Sequence, residues 1–140
     1  MEYIDIVFKG VSAKLLNDFI KSELDIRKNN IINSHFYSED LGDFEYTEEI
    51  DLEKYFSQCN TANIFVKQIK LNQYYNNVLC IISSDDKDAE ISCTISEKDF
   101  DKDCINELTE WINSLCQKGI ITAAQVCSDL ENEYIINIKK

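Results

Sequence analysis

The alternation of apolar and polar residues along the chain predicts a series of β-strands. Apolar residues recur at every second position of residues 90–96, which is the pattern of a strand with one buried face. Residues 78–83 begin with five successive apolar side chains, as expected of a strand buried on both faces. The polar stretch 85–88 between them predicts a turn, so these two strands are expected to form a hairpin.

Shorter runs of the same kind predict further strands. They lie at residues 3–9, 31–38, 62–71, 121–127 and 134–138. Gly10 is expected to end the first of them, and the polar stretches 74–77 and 129–132 are expected to form turns. These strands predict a mainly antiparallel sheet.

A period close to 3.6 residues predicts helices in three segments. Two long amphipathic helices are expected at about 13–28 and 102–118, and one short helix at about 51–58. Ser12 and Asp51 are placed to cap helix N-termini, and Gly119 is placed to end the last helix. The predicted fold class is α+β, with helices over one face of the sheet and the other face partly exposed. A length of 140 residues suits a single domain, 1–140.

The net charge narrows the classes of partner. The chain has 26 acidic and 14 basic residues, which gives a net charge of −12. Nucleic-acid binding requires clustered cations, and the sequence has no such cluster, so we expect no direct nucleic-acid contact. The same charge disfavours anionic membrane surfaces and favours attraction to a basic protein.

The N-terminal and apolar segments predict a cytoplasmic protein without membrane contact. The first eight residues carry acids where a signal peptide needs bases. The longest apolar stretch, residues 78–82, is far shorter than the ~20 residues that a membrane helix needs.

Few residues are suited to catalysis or to cofactor binding. His35 is the only histidine, and its place on a predicted strand favours an ordinary surface role. The six cysteines lack the spacing of zinc ligands and are expected to be reduced structural thiols. The three glycines are too scattered for a phosphate-binding loop. We therefore predict a protein that is not an enzyme, with no catalytic residue, metal or cofactor.

The most informative stretch is 36–53, because it combines carboxylates with aromatic side chains. No lysine or arginine lies between Lys28 and Lys54, and residues 43–50 have the phase of a short, exposed edge strand. At an interface, aromatic side chains supply contact area and charges supply steering. The residues predicted to bind a partner are Glu39, Asp40, Asp43, Phe44, Glu45, Tyr46, Glu48, Glu49, Asp51 and Glu53.

A small acidic α+β domain without catalytic residues resembles the immunity proteins of bacterial polymorphic toxin systems. The resemblance lies in the acidic run from Glu39 to Glu53 and in the strands and helices around it. It implies a cognate toxin domain as the partner. It also implies a tight one-to-one complex that blocks the active site of the toxin or an adjacent surface.

Three other interpretations of the acidic stretch stay open. A nucleic-acid mimic, such as a phage anti-defence protein, would present carboxylates in place of phosphates along one long face. A small enzyme with carboxylate chemistry would turn over a substrate on its own. A solvated face that only keeps the protein in solution would have no partner.

Overall fold

The computed structural model describes residues 2–85, 87–128 and 134–139, whose strands form one eight-stranded sheet. The strands are β1 (Tyr3–Ser12), β2 (Ile31–Ser38), β3 (Gly42–Phe44), β4 (Thr61–Leu71), β5 (Gln73–Ser84), β6 (Asp88–Ser96), β7 (Ala123–Ser128) and β8 (Tyr134–Lys139). Their spatial order is β3-β2-β4-β5-β6-β1-β7-β8, and all neighbouring strands are antiparallel. The prediction of a mainly antiparallel α+β fold is confirmed.

Three α-helices lie at the three predicted places among the described residues, but each is shorter than the sequence pattern predicts. They are α1 (Ala13–Asp18), continued by a π-helical turn (Phe19–Glu23), then α2 (Leu52–Phe56) and α3 (Ile105–Gln117). Short 3-10 turns lie at Lys28–Asn30, Glu97–Asp99 and Lys102–Cys104. None of the helices among the described residues has the length and apolarity needed to span a membrane.

Both long predicted helices need correction at their ends. The first, expected over 13–28, ends at Glu23, because Asp25 takes a left-handed conformation with φ 53° that no helix continues through. The second, expected over 102–118, begins with a 3-10 turn and is α-helical only from Ile105 to Gln117. Gly119 follows it with φ 77°, as predicted for a residue that ends a helix.

The helices pack against one face of the sheet around Phe8. The Phe8 ring meets Phe19 edge-on at a centroid distance of 5.2 Å and Trp111 of α3 at 5.7 Å. Elements from both halves of the chain therefore cover β1 from the same side. Along β5, Val78, Cys80 and Ile82 are buried on this side. We call the opposite side of the sheet the open face.

Several turn and strand predictions are also corrected. Residues 74–77, expected to be a turn, belong to β5, and the chain reverses instead at Asn72 with φ 70°. Gly10 does not end β1, because the strand continues past it with a shift in register between Phe8 and Val11. Residues 78–83 are not buried on both faces, since their alternate side chains reach the open face. The turn expected at 129–132 lies outside the described residues.

Candidate protein-binding surface

The acidic stretch 39–53 wraps around the β3 edge of the sheet. The hairpin of β2 and β3 pairs Phe36 with Phe44 and Tyr37 with Asp43. The predicted edge strand over 43–50 is shorter than expected, because pairing stops at Phe44 and the chain then leaves the sheet toward α2. Helix α2 begins after Asp51, whose side chain accepts a hydrogen bond from the Lys54 backbone nitrogen at 3.0 Å, as predicted for an N-cap.

The aromatic residues of this stretch lie beneath the carboxylates rather than among them. Tyr46 is only 1% exposed and Phe44 is half-buried. In this conformation the side chain of Tyr46 packs within the protein, and its binding role stays a prediction. Phe44 and Tyr46 are two residues apart in extended chain, so their side chains point to the same side, and that side is the core.

Phe36 lies at the centre of the aromatic cluster under the acidic stretch. Its ring centroid lies 5.5 Å from Phe44, 6.3 Å from Tyr46, 5.2 Å from Tyr55 and 6.3 Å from Phe56. Aromatic pairs at such distances stabilise a core beyond the area they bury. The cluster therefore holds β2, β3, the following loop and α2 together as one unit.

Glu48 fixes the loop after β3 to the helix layer. Its carboxylate accepts hydrogen bonds from the Lys28 backbone nitrogen at 2.9 Å and from the Tyr46 hydroxyl at 3.4 Å, and it lies 3.3 Å from the Lys21 ammonium. The Lys28 backbone N–H is the main reason that the pKa of Glu48 lies below its ordinary value. Burial, followed by the neighbouring Glu48 charge, raises the pKa of Tyr46 to about 12. Glu48 thus has a structural role within this protein.

Glu48→Gln is expected to lower the free energy of unfolding by about 1 kcal/mol or less at pH 7, because the ion pair of Glu48 with Lys21 is partly exposed to solvent. A lowered pKa in the folded state means that the stabilisation is complete above the unfolded pKa of about 4.3 and is lost as the pH falls through the lower folded value. The melting temperatures of Glu48→Gln and of the unmodified protein should therefore become equal at low pH. Glu49→Gln is the matched control and should change little, and a Glu48→Gln deficit that persisted at low pH would contradict the assignment.

The remaining carboxylates of the acidic stretch differ in whether they have a partner within this protein. Asp43 lies on the open face, where its Oδ1 atom is 2.8 Å from Nε2 of His35 and both side chains are well exposed. Within the part of the chain that the structure describes, five carboxylates of the stretch make no hydrogen bond or ion pair. They are those of Glu39, Asp40, Glu45, Glu49 and Glu53. These five are available to meet a partner.

A pocket of about 300 Å³ lies between the β2–β3 turn and α2. Its lining combines apolar side chains with two carboxylates and one ammonium. The residues are Ser38, Asp40, Leu41, Phe44, Ile50, Asp51, Lys54, Tyr55, Gln58 and Asn60. We call it the hairpin pocket. Leu41 stands at the tip of the turn and is 74% exposed, more than any other large hydrophobic side chain among the described residues.

The open face is a second candidate surface. The sequence pattern predicted that one face is partly exposed, but it did not indicate this face as a binding surface. Phe65, Leu79 and Thr94 lie in register across β4, β5 and β6, and Thr94 donates a 2.7 Å hydrogen bond to Asp5 of β1. Leu79 is 38% exposed. In the run 78–82 every side chain is hydrophobic, so the sequence does not distinguish the residues that point to the core from those on the open face.

The described residues offer little for catalysis or metal binding. Across residues 2–85, 87–128 and 134–139, no three His, Cys, Asp or Glu side chains are grouped as a metal site requires. In the same ranges His35 contacts Asp43 and makes no hydrogen bond to a hydroxyl or thiol. The hydrogen bond with the Cys80 thiol, followed by burial, raises the pKa of Cys93 well above its usual range. A thiol in that environment is a poor nucleophile.

Comparison with known proteins adds a family and a fold. The family model described as "PABL017 Cdi1I immunity protein" matches residues 2–127. A chain in the crystal structure of the toxic C-terminal tip of CdiA from Pseudomonas aeruginosa in complex with an immune protein shares the fold. The TM-score is 0.73 at 13% identity, covering 98% of this chain and 95% of that chain.

One curated relative matches this chain over only a small part of its own length. An uncharacterised protein of Plasmodium falciparum (isolate 3D7) is 30% identical over 104 residues, which is 70% of this chain but only 5% of that protein. This chain therefore spans a small fraction of the length of the curated relative it matches. The match does not bear on function.

Proposed function

The chain belongs to the PABL017 Cdi1I immunity protein family, and on that premise we propose that it binds and neutralises a toxin domain of the CdiA type in the cytoplasm. The family match over residues 2–127 is the observation that carries the proposal. The protein acts by binding alone, as an inhibitor without catalysis, metal or cofactor. The resemblance of the sequence to polymorphic-toxin immunity proteins agrees with this family.

We propose that the acidic end of the sheet makes the contact with the toxin. Five carboxylates of the stretch 39–53 make no hydrogen bond or ion pair among the described residues, and they give this end a strong negative potential, which steers a basic partner toward it. Glu48 and Tyr46 hold the surface from below and do not contact the toxin directly. Asp43 extends the surface onto the open face beside His35.

The position of the acids favours a protein partner over mimicry of nucleic acid. A mimic needs carboxylates spaced along one long face, in place of a phosphate backbone. Here the acids wrap around one edge, with Asp43 on the open face and Glu48 against Lys21 in the helix layer. A compact charged end of this kind suits a docking contact with one basic domain.

The proposal predicts that a toxin domain is encoded immediately upstream of this chain, and the test is protection of cells against that domain. Co-expression of this protein should restore growth, and the two purified proteins should elute as a one-to-one complex in size-exclusion chromatography. A toxin of the same class from an unrelated system serves as the specificity control. Growth arrest that this protein cannot relieve, together with separate elution, would refute the proposed function.

A further inference from the structure

We propose that the hairpin pocket is the anchor of the complex and receives one arginine side chain of the toxin. This inference rests on the proposed function and adds the chemistry of one contact to it. The pocket lies within the acidic stretch and joins the β2–β3 turn to α2. At about 300 Å³ the pocket is at the small end of the range of ligand pockets, which suits one long side chain.

The apolar lining matches the stem of an arginine side chain. Phe44, Ile50 and Tyr55 line the pocket with hydrophobic surface. The methylene groups of arginine pack on such surfaces while the charged end stays near polar groups. The planar guanidinium also stacks on aromatic rings, which an ammonium does less well. Two aromatic residues in one small pocket therefore favour arginine over lysine.

The carboxylates of the pocket match the charge of the guanidinium. Asp40 makes no hydrogen bond or ion pair with the rest of the described chain, so both of its oxygens can accept. Asp51 uses Oδ1 to cap α2, which leaves Oδ2 for a second contact. Lys54 is the single cation among the described residues of the lining, and it lowers the negative charge without removing it. Charge-assisted bonds from a guanidinium to carboxylates are among the strongest available to a side chain.

The walls of the pocket are held in place before any partner arrives. The Tyr55 hydroxyl donates to the Tyr37 carbonyl oxygen at 2.9 Å and accepts from the Tyr37 backbone nitrogen at 3.1 Å, so α2 is tied to β2. The Asn60 side-chain amide donates to the Tyr55 carbonyl oxygen at 2.6 Å. In the turn, the Leu41 backbone nitrogen donates to the Ser38 hydroxyl at 3.0 Å. A preformed pocket loses little entropy when it is filled, which favours tight binding.

Leu41 gives an independent indication that this rim meets another protein. A leucine at the tip of a turn that is 74% exposed has most of its apolar surface in water. Hydrophobic contacts around a charged anchor exclude water from it and so strengthen it. We therefore place Leu41 at the edge of the contact, over the toxin residues that flank the arginine.

The test compares three variants by surface plasmon resonance against the toxin domain encoded upstream. The variant Asp40→Asn/Asp51→Asn removes both pocket charges, and asparagine at 51 keeps the helix cap. The matched control Glu45→Gln/Glu49→Gln removes the same charge from the same stretch, outside the pocket. Lys54→Gln removes the cation of the lining. Circular dichroism melts verify that all three are folded.

We expect Asp40→Asn/Asp51→Asn to raise the Kd about 30-fold or more, mainly through faster dissociation, because a desolvated guanidinium loses its partners. The control pair should raise the Kd only a few-fold, through slower association. Lys54→Gln should lower the Kd. The arginine anchor alone would be overturned if Asp40→Asn/Asp51→Asn and Glu45→Gln/Glu49→Gln lost the same amount of affinity. It would also be overturned if Asp40→Asn/Asp51→Asn bound more tightly and Lys54→Gln more weakly. Absence of any binding by the unmodified protein would instead overturn the proposed function, and the anchor with it.

Discussion

The triple variant Asp43→Lys, Glu45→Lys, Glu49→Lys is expected to lose at least about 100-fold in affinity for the toxin while it stays folded. Each reversal replaces attraction to a basic surface by repulsion, and like charges brought together at an interface cost several kcal/mol, where each 1.4 kcal/mol is about tenfold in Kd. The association rate should fall most, and the loss should shrink as salt is added. Titration calorimetry and stopped-flow association at two salt concentrations measure both effects.

The choice of these three residues follows from their surroundings. Within the described part of the chain, the carboxylates of Glu45 and Glu49 make no hydrogen bond or ion pair, and that of Asp43 has only the exposed pair with His35. An exposed pair contributes about 0–1 kcal/mol to stability, so its loss is tolerated. Glu48 belongs to the same run but is left unchanged, because its reversal would break the contacts with Lys21 and Lys28.

A matched control reverses three acids at the other end of the molecule. All three are exposed: Asp99 and Asp103 lie in the 3-10 turns that precede α3, and Glu110 lies within α3. Their reversal changes the net charge by the same amount and should leave affinity within a few-fold. If this control lost affinity and the acidic-stretch variant did not, the toxin would bind the α3 side and the proposed surface would be wrong.

The strands were predictable because each has a buried face with a regular period. In β6, Ile91, Cys93 and Ile95 are fully buried or nearly so and alternate with polar residues, so the pattern alone identifies the strand. In β5 the pattern fails, since Leu79 and Ile81 are hydrophobic yet reach the open face. Where successive residues of a strand are all apolar, the sequence does not indicate which face of the strand is buried.

The ends of the elements were less predictable because single residues with unusual backbone angles decide them. Asn72 and Asn77 both have positive φ, and only the first reverses the chain. Asp25 has φ 53° and is held there by hydrogen bonds from Arg27 at 2.9 Å and from the Tyr74 hydroxyl at 2.9 Å. The bond to Tyr74 spans 49 residues, and local sequence patterns contain no trace of such a contact.

The role of each acid in the stretch 39–53 was likewise set by distant partners. Glu48 and Glu49 are adjacent and identical in type, but only Glu48 meets Lys21 and the Lys28 backbone. The sequence identified where negative charge is concentrated. It could not separate the carboxylates that hold the loop from those that are free to bind, because that distinction depends on how the loop folds back toward the helix layer.

Phe36→Ala is expected to cost about 3–5 kcal/mol in the free energy of unfolding, which is the range for removing a buried phenylalanine. Phe36 is fully buried and contacts four other rings, so its loss leaves a cavity that rigid neighbours cannot fill. Chemical denaturation followed by circular dichroism measures the change. Tyr37→Ala is the matched control, because Tyr37 is adjacent in β2 but 51% exposed, and it should cost far less.

The same variant connects the stability of the protein to its proposed binding surface. Phe44 and Tyr55 line the hairpin pocket and both rest on Phe36, so a cavity beneath them lets the pocket walls move. Phe36→Leu fills more of the space and should restore most of the stability and, with it, the affinity for the toxin. If Phe36→Ala were folded and bound the toxin as tightly as the parent protein, the aromatic cluster would not be needed to shape the binding surface. If Phe36→Ala and Tyr37→Ala were equally destabilised, the central role of Phe36 in the core would be refuted.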